Sequence, residues 1–304
     1  MRLTVTNTDS IASSVPVLTI PPHLKPPVPE DYPFDSLTED QRKQVKNLRS
    51  QLPLILNELT GTPCPEESEF LSDECLVRYL KATKWQLDES VVRLQDTLQW
   101  RREFRPRENQ SDDLKEICGI GWQYLNGFDK KGRPVLTGVA RLGGGMGNAR
   151  KYEASIRYTF YLFEKAMMAM PKGVSQLCII SEFSGSSMFN YPINHSLTLL
   201  NIMERHYPEI LATVVIVNPS WYIPVLYNMI KPIADPVTLA KGHFASSNGK
   251  QEQKAEKGTG GWINLLDVVD ANMLPVELGG SFNFVFDINE YWKAFMGGNS
   301  IREA

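Results

Sequence analysis

A serine-rich turn, four histidines, four cysteines and a run of glycines are where this 304-residue chain could carry covalent, metal or nucleotide chemistry. His23, His195, His206 and His243 are scattered without ligand spacing, and Cys64, Cys75, Cys118 and Cys178 include no C-x-x-C pair, so no metal site is expected and the thiols read as reduced and mostly buried. Ser184-Gly-Ser-Ser187 follows a predicted strand, where a hydrolase would place its nucleophile. Its acids would be Glu182 and Glu209, and its base His195, His206 or His243. Yet G-x-S-x-G is absent, and nothing fixes the mutual geometry of these groups. The run Arg141-Leu-Gly-Gly-Gly-Met-Gly147 lies between a strand and a helix but lacks the third glycine of G-x-G-x-x-G. No Gly-Lys-Ser/Thr is present. That run reads as a flexible loop, and the chain is not expected to be an enzyme.

The more informative chemistry is apolar. In His206–Phe244 a helix end leads into Thr213-Val-Val-Ile-Val217, a β-branched run suited to a central strand buried on both faces, which turns at Asn218-Pro219. Trp221–Lys231 then repeats apolar residues at spacings of three and four, with Tyr222, Ile223, Leu226, Met229 and Ile230 on it and hardly any charge. Such a helix is expected to bury most of its surface, either as sealed core or as a lid over apolar cargo. Pro232 stops it, and Asp235 before Pro236 starts another helical turn.

The rest of the chain supplies the supporting elements. Met1–Pro33 is rich in Pro, Thr and Ser without periodicity and reads as a disordered arm. Ser36-Leu-Thr-Glu39 looks like a capping box for a helix carrying Val45, Leu48, Leu52, Leu56 and Leu59, kinked or split at Pro53 and stopped by Gly61. Ser72 and Asp88 are expected to begin two further helices, the second with Val91, Leu94 and Leu98 inward and an end by Pro106. A hairpin-like pair follows, Trp122–Phe128 and Pro134–Ala140 around Asp129-Lys-Lys-Gly132. Helices over Tyr152–Met170 and Ile193–His206 then alternate with strands over Leu177–Phe183 and Thr213–Val217, which implies parallel pairing. Ser246–Gly261 reads as a loop, Trp262–Val269 as helical, and Tyr291–Phe295 as a last helical turn.

A net charge of -3 supplies no basic field, so no nucleic-acid partner is expected. No apolar run approaches the roughly 20 residues of a spanning helix, and no signal peptide stands at the N-terminus. A cytosolic or peripheral protein, touching membranes through apolar surface, is the expectation.

Several words along the chain resemble one family. They are R-Y-L-K-A-T-K-W (Arg78–Trp85), L-Q-W-R-R-E-F (Leu98–Phe104), G-F-D-K-K-G-R-P-V (Gly127–Val135), Y-P-E (Tyr207–Glu209), the N-P, K-P and D-P-x-T words with Lys241, and L-P-V-E-L-G-G (Leu274–Gly280). They are similar to CRAL-TRIO domains of the fungal phosphatidylinositol transfer type, with a resemblance running from about Ser72 to Ser281. The resemblance implies an α/β fold, in which an all-helical N-terminal region (34–110) precedes a lipid-binding domain (111–304) with a mostly parallel sheet floor and an apolar gate helix. It implies phosphatidylinositol as the bound lipid and no other cofactor, transfer between membranes, and endoplasmic reticulum, lipid-droplet or other membranes as transient contacts. Sterol or another hydrophobic ligand is the alternative cargo, and an adaptor serving a phosphoinositide kinase the alternative role.

Carried over by position, the head-group residues are Glu209, Thr238 and Lys241, and the gate and pocket residues are Trp221, Tyr222, Ile223, Leu226, Met229, Ile230, Leu177 and Ile179. Two positions depart from the family. Thr83 stands where a phosphate-binding Arg is expected, removing one charge. Leu177 and Ile179 replace the Ser and Thr that hold phosphatidylcholine, which at about 1–3 kcal/mol per unpaired group implies that choline lipid is excluded.

Overall fold

The computed structural model describes residues 17–18, 26–27, 35–108, 112–145, 149–188, 193–232, 234–247 and 258–296. Most of the expected N-terminal arm and the middle of the expected 246–261 loop lie outside these residues.

A short strand, β1 (Val17–Leu18), pairs in parallel with β7 (Asn283–Phe284). Four helices follow: α1 (Glu39–Glu58), α2 (Glu67–Phe70), α3 (Asp73–Ala82) and α4 (Leu87–Phe104). The capping box of α1 sits two residues beyond the expected Ser36. Thr38 Oγ1 accepts from Gln41 N–H (3.2 Å) while Gln41 Oε1 accepts from Thr38 N–H (3.0 Å). This choice puts Glu39 and Asp40 in the first turn, where the helix dipole favours acids. Pro53 does not split α1 in two; the helix runs through it, with buried Leu52 and Ile55 on either side packed against α3 and α4. The third expected cap also moves: Gln86 precedes α4, leaving Asp88 as a first-turn acid. Ser72 caps α3 as expected, accepting from Cys75 N–H at 3.3 Å.

After α5 (Asp112–Gly119) the hairpin β2 (Gln123–Phe128) and β3 (Pro134–Val139) pairs antiparallel. Asp129 closes its turn by accepting from the N–H groups of Lys131 and Arg133, with Gly132 at φ 73°. Next come α6 (Ala149–Ala169), β4 (Leu177–Glu182), α7 (Ile193–His206), β5 (Leu211–Val217), α8 (Ile223–Ile230), α9 (Pro236–Ala240) and β6 (Gly242–Ala245). The sheet order is β2-β3-β4-β5-β6, parallel from β3 onward, so the fold is α/β with a mostly parallel sheet behind N-terminal helices. β5 has a neighbour on each side, but the middle strand is β4.

Side-chain alternation sends Val135, Cys178, Ile180, Val215, Val217 and Ala245 to one face, against α10 (Leu265–Val268), Met273, Leu274 and Leu278. Only one turn of the helix expected over 262–269 forms, since Trp262 pairs alongside Phe244. A last helix, α11 (Ile288–Met296), sends the Tyr291 hydroxyl to accept from Leu125 N–H at 2.8 Å. The opposite sheet face looks toward α6 and α7.

A buried ionic cluster joins the N-terminal helices to α6. Both carboxylate oxygens of Glu164 are engaged, by Arg101 Nη1 at 2.6 Å and Arg107 Nε at 2.7 Å, and Tyr207 donates to the same group at 2.9 Å. Burial alone would raise the Glu164 carboxyl; the two guanidinium groups hold it at about 2 instead.

Candidate functional site

Between the sheet and α6, α7 and α8 lies a cavity of about 340 Å³. Strand periodicity builds its floor, because Leu136 and Gly138 of β3, Ile179 and Ser181 of β4, and Val214 and Ile216 of β5 point to this face. Helical periodicity builds one wall, where His195, Leu199 and Met203, and likewise Ser196 and Leu200, recur every four residues along α7. Phe160 and Phe163 of α6 also line it. No Asp, Glu, Lys or Arg occurs among its described lining residues.

The remaining side is α8. Pro224 fits its first turn, where no N–H is needed, and Ile223, Leu226, Tyr227 and Ile230 face the cavity. The helix does not bury most of its surface, contrary to its sequence pattern. Val225 is 40% exposed and Met229 44%, with Trp221 at 70% just before it and Val237 of α9 at 59%. Trp221 and Met229 therefore lie on the outer side, because helical spacing turns them away from the cavity. Tyr222 is fully buried beside the cavity, its hydroxyl donating to Ser186 Oγ at 2.6 Å. Of the two β4 positions singled out, Ile179 lines the floor, whereas Leu177 is sealed in the hydrophobic cluster opposite Leu211.

Glu209 and Lys241 meet. The Lys241 ammonium donates to Glu209 Oε2 at 3.2 Å, with one-fifth and one-third of the two side chains exposed. Glu209 adopts φ 55°, a left-handed conformation that costs a non-glycine residue about 1–3 kcal/mol. Thr238 lines the cavity, and its carbonyl accepts from Lys241 N–H at 3.2 Å, which ties Lys241 to the end of α9; neither Glu209 nor Lys241 is among the described lining residues of the cavity. Thr83 is the C-cap of α3. Buried at the end of α3, its hydroxyl lies 2.6 Å from Ser90 Oγ and within bonding distance of three carbonyls, stitching α3 to α4.

Of the groups considered for covalent chemistry, Ser186 and Glu182 are engaged within the fold. Ser186 donates to Phe183 O at 2.6 Å and contacts Ser220 Oγ at 3.0 Å, while Glu182 pairs with Arg141 at 2.9 Å. No hydrogen bond joins Ser184 or Ser186 to His195, His206 or His243 among the described residues. The glycine run is a 3-10 turn over Ala140–Gly145, with Gly143 against the cavity. Trp122, Ser181 and His195 are cavity residues that the sequence reading passed over. The four-residue repeat of His195 with Leu199 and Met203 was the available signal.

Comparison with known proteins matches residues 120–280 to the CRAL/TRIO domain and residues 43–96 to the CRAL/TRIO N-terminal domain. A CRAL-TRIO domain-containing protein of Schizosaccharomyces pombe is 30% identical over 85% of this chain and 24% of its own length. Phosphatidylinositol transfer protein PDR17 of Saccharomyces cerevisiae is 29% identical over 69% of this chain and 67% of its own. Phosphatidylinositol transfer protein CSR1 of Eremothecium gossypii is 28% identical over 77% and 54%. The chain thus spans from a quarter to two thirds of these relatives. The solved structure of Sfh5 shares the fold at TM-score 0.56 and 22% identity, over 80% of this chain and 95% of that one.

Proposed function

Because the chain belongs to the CRAL/TRIO domain family, we propose that it takes one phosphatidylinositol molecule into the cavity beneath α8 and exchanges it between membranes without a chemical step. The carrying observation is a cavity with no charged group among its described lining residues and the apolar α8 along one side, with Thr238 on its lining. Acyl chains fill a volume lined by hydrocarbon, where burial contributes about 25 cal/mol per Å² of apolar surface. The phosphate and inositol stay beside α9. There Lys241 supplies the cation, Thr238 a hydroxyl, and Glu209 an acceptor for inositol hydroxyls once the ligand replaces it on Lys241.

Exchange needs contact with a bilayer, and the outer side of α8 offers Trp221, Val225 and Met229 for it, continued by Val237. No helix among the described residues is long and apolar enough to cross a membrane, so a surface contact is the mode that fits. Hydrocarbon at Ile179 on the cavity floor disfavours phosphatidylcholine, whose phosphate would meet no donor there. The absence of charge from the described lining favours one further cargo, a sterol or other uncharged hydrophobic ligand. Native mass spectrometry of lipid carried by the purified full chain tests the proposal. Bound phosphatidylinositol, lost on exchange into acceptor vesicles, is expected; a protein that takes up no lipid from inositol-lipid vesicles overturns it.

A further inference from the structure

Two buried nitrogens on the cavity wall have nothing to bond. Trp122 Nε1 and His195 Nε2 lack a hydrogen-bond partner among the described residues, although Trp122 is only 8% exposed and His195 1%. Both residues line the cavity, and their rings meet edge to face with centroids 5.3 Å apart. Tyr152 packs on the imidazole as well, at 5.5 Å, which holds its orientation.

The sheet leaves room beside them. Gly138 lies in register between Gln123 and Ser181, and a Cβ there would meet nothing closer than 3.9 Å, with Trp122 O and Ser181 Oγ among those nearest atoms. The Trp122 and His195 rings and, across Gly138, the Ser181 hydroxyl thus belong to one cavity, whose lining also carries the polar side chains of Gln123, Thr159 and Ser196. Burial pushes His195 down to about 4, so at neutral pH one ring nitrogen donates and the other accepts. The indole N–H can only donate. Without a cation among the described lining residues, a phosphate placed here would have no counter-charge. A hydroxyl suits the set, because its oxygen accepts from the indole while its proton goes to the imidazole or to Ser181.

We propose that Trp122 and His195, with Ser181 across the gap at Gly138, form a receiving corner for the hydroxyl of an uncharged lipid alcohol. The inference rests on the reading of this cavity as a lipid site, and it adds a specificity-determining site distinct from the Glu209–Lys241 pair.

The test offers the full chain vesicles doped with oleyl alcohol or with oleyl methyl ether, which cannot donate a hydrogen bond. Bound probe is measured by mass spectrometry after re-isolation, and the Trp122 indole proton, assigned by its loss in Trp122→Phe, is followed by NMR. Wild type is expected to prefer the alcohol about tenfold, the loss that one unmade bond to a buried group produces. Trp122→Phe and His195→Phe should each cut that preference to about threefold or less, and the indole proton should shift on loading the alcohol. Equal loading of the two probes on wild type overturns the proposal, as does an undiminished preference in both variants. If His195→Phe does not fold, Trp122→Phe and the indole shift decide. Phosphatidylinositol transfer measured in parallel separates the two ideas. Transfer with no alcohol preference removes the corner alone, while alcohol preference without transfer supports the corner and removes only the transfer reading.

Discussion

Replacing Lys241 with alanine separates head-group recognition from the fold. Lys241 pairs with Glu209 at 3.2 Å, partly exposed on both sides, so solvent screens the pair and its loss should cost at most about 1 kcal/mol of stability. For a chain of this size that is a shift of roughly 2–4 °C in Tm. The contact to a lipid phosphate is of another order, because a charge-assisted hydrogen bond at a site partly withdrawn from water contributes about 1.5–3 kcal/mol. Lys241→Ala should thus lower phosphatidylinositol affinity about tenfold to a hundredfold while leaving Tm and uptake of an uncharged lipid nearly unchanged. Vesicle-to-vesicle transfer of fluorescent phosphatidylinositol, with dehydroergosterol as the uncharged control, reads the difference. If both lipids lose affinity together, Lys241 braces the fold instead of binding a head group. If neither does, the phosphate sits elsewhere.

Leu226→Asp puts a carboxylate on the cavity side of α8 with no cation among the described lining residues, and transfer of any lipid should be abolished; unchanged transfer would show that α8 does not face cargo. Ile179→Thr places a hydroxyl on the cavity floor and should admit measurable phosphatidylcholine in a lipid-loading assay. Leu177→Ser, by contrast, buries an unpaired hydroxyl in sealed core and should only destabilise, by about 1–3 kcal/mol. Burial, with Asp96 opposing it, lowers His206 to about 4, and burial lowers His195 similarly. Between pH 6.5 and 4 the unfolded chain binds protons that the folded one refuses, so stability falls as pH drops through this window, by about 3 kcal/mol per histidine. Urea unfolding should show that slope, and His206→Gln should flatten it; a profile unaltered by that change would contradict the assignment. Glu164 contributes only lower, between its ordinary value of 4.5 and about 2.

Sequence periodicity carried most of the architecture because strands with a β-branched run and helices with four-residue stripes leave local marks. The strand over 213–217 and the helix over 193–206 are such cases. What it could not carry was the neighbour. Pro53 is a helix breaker in isolation, yet α1 runs through it, with Leu52 and Ile55 packed against two other helices. Likewise the pattern of α8 reads as mostly buried, since sequence does not say that the side carrying Val225 and Met229 stays exposed. Leu177 and Ile179 are two residues apart on β4, yet only Ile179 reaches the cavity while Leu177 is sealed in the core. The pairing of Glu209 with Lys241 depends on a left-handed turn that no local rule assigns to a glutamate.

The C-terminal end of α7 is bolted down from several sides. Tyr79 donates its hydroxyl to His206 O at 3.0 Å, Thr97 meets His206 Nδ1 at 3.2 Å, Arg205 forks onto Asp96, and Arg93 reaches the Glu204 carbonyl. Trp100 stacks on the His206 ring at 4.4 Å. The cavity wall is therefore a vise with one fixed jaw. α7 is tied to the N-terminal helices, so widening the cavity by swinging that wall would break a carboxylate–guanidinium fork, three further hydrogen bonds and a ring stack together. On the opposite jaw, α8 hangs from Ser186 and Ser220 near its start and is bounded by Pro224 and Pro232, with apolar surface on both its sides. What holds that jaw is a few hydroxyl contacts and the apolar packing of Tyr222, Ile223 and Leu226 with Phe183 and Phe244, with no ion pair to α8 shown among the described residues.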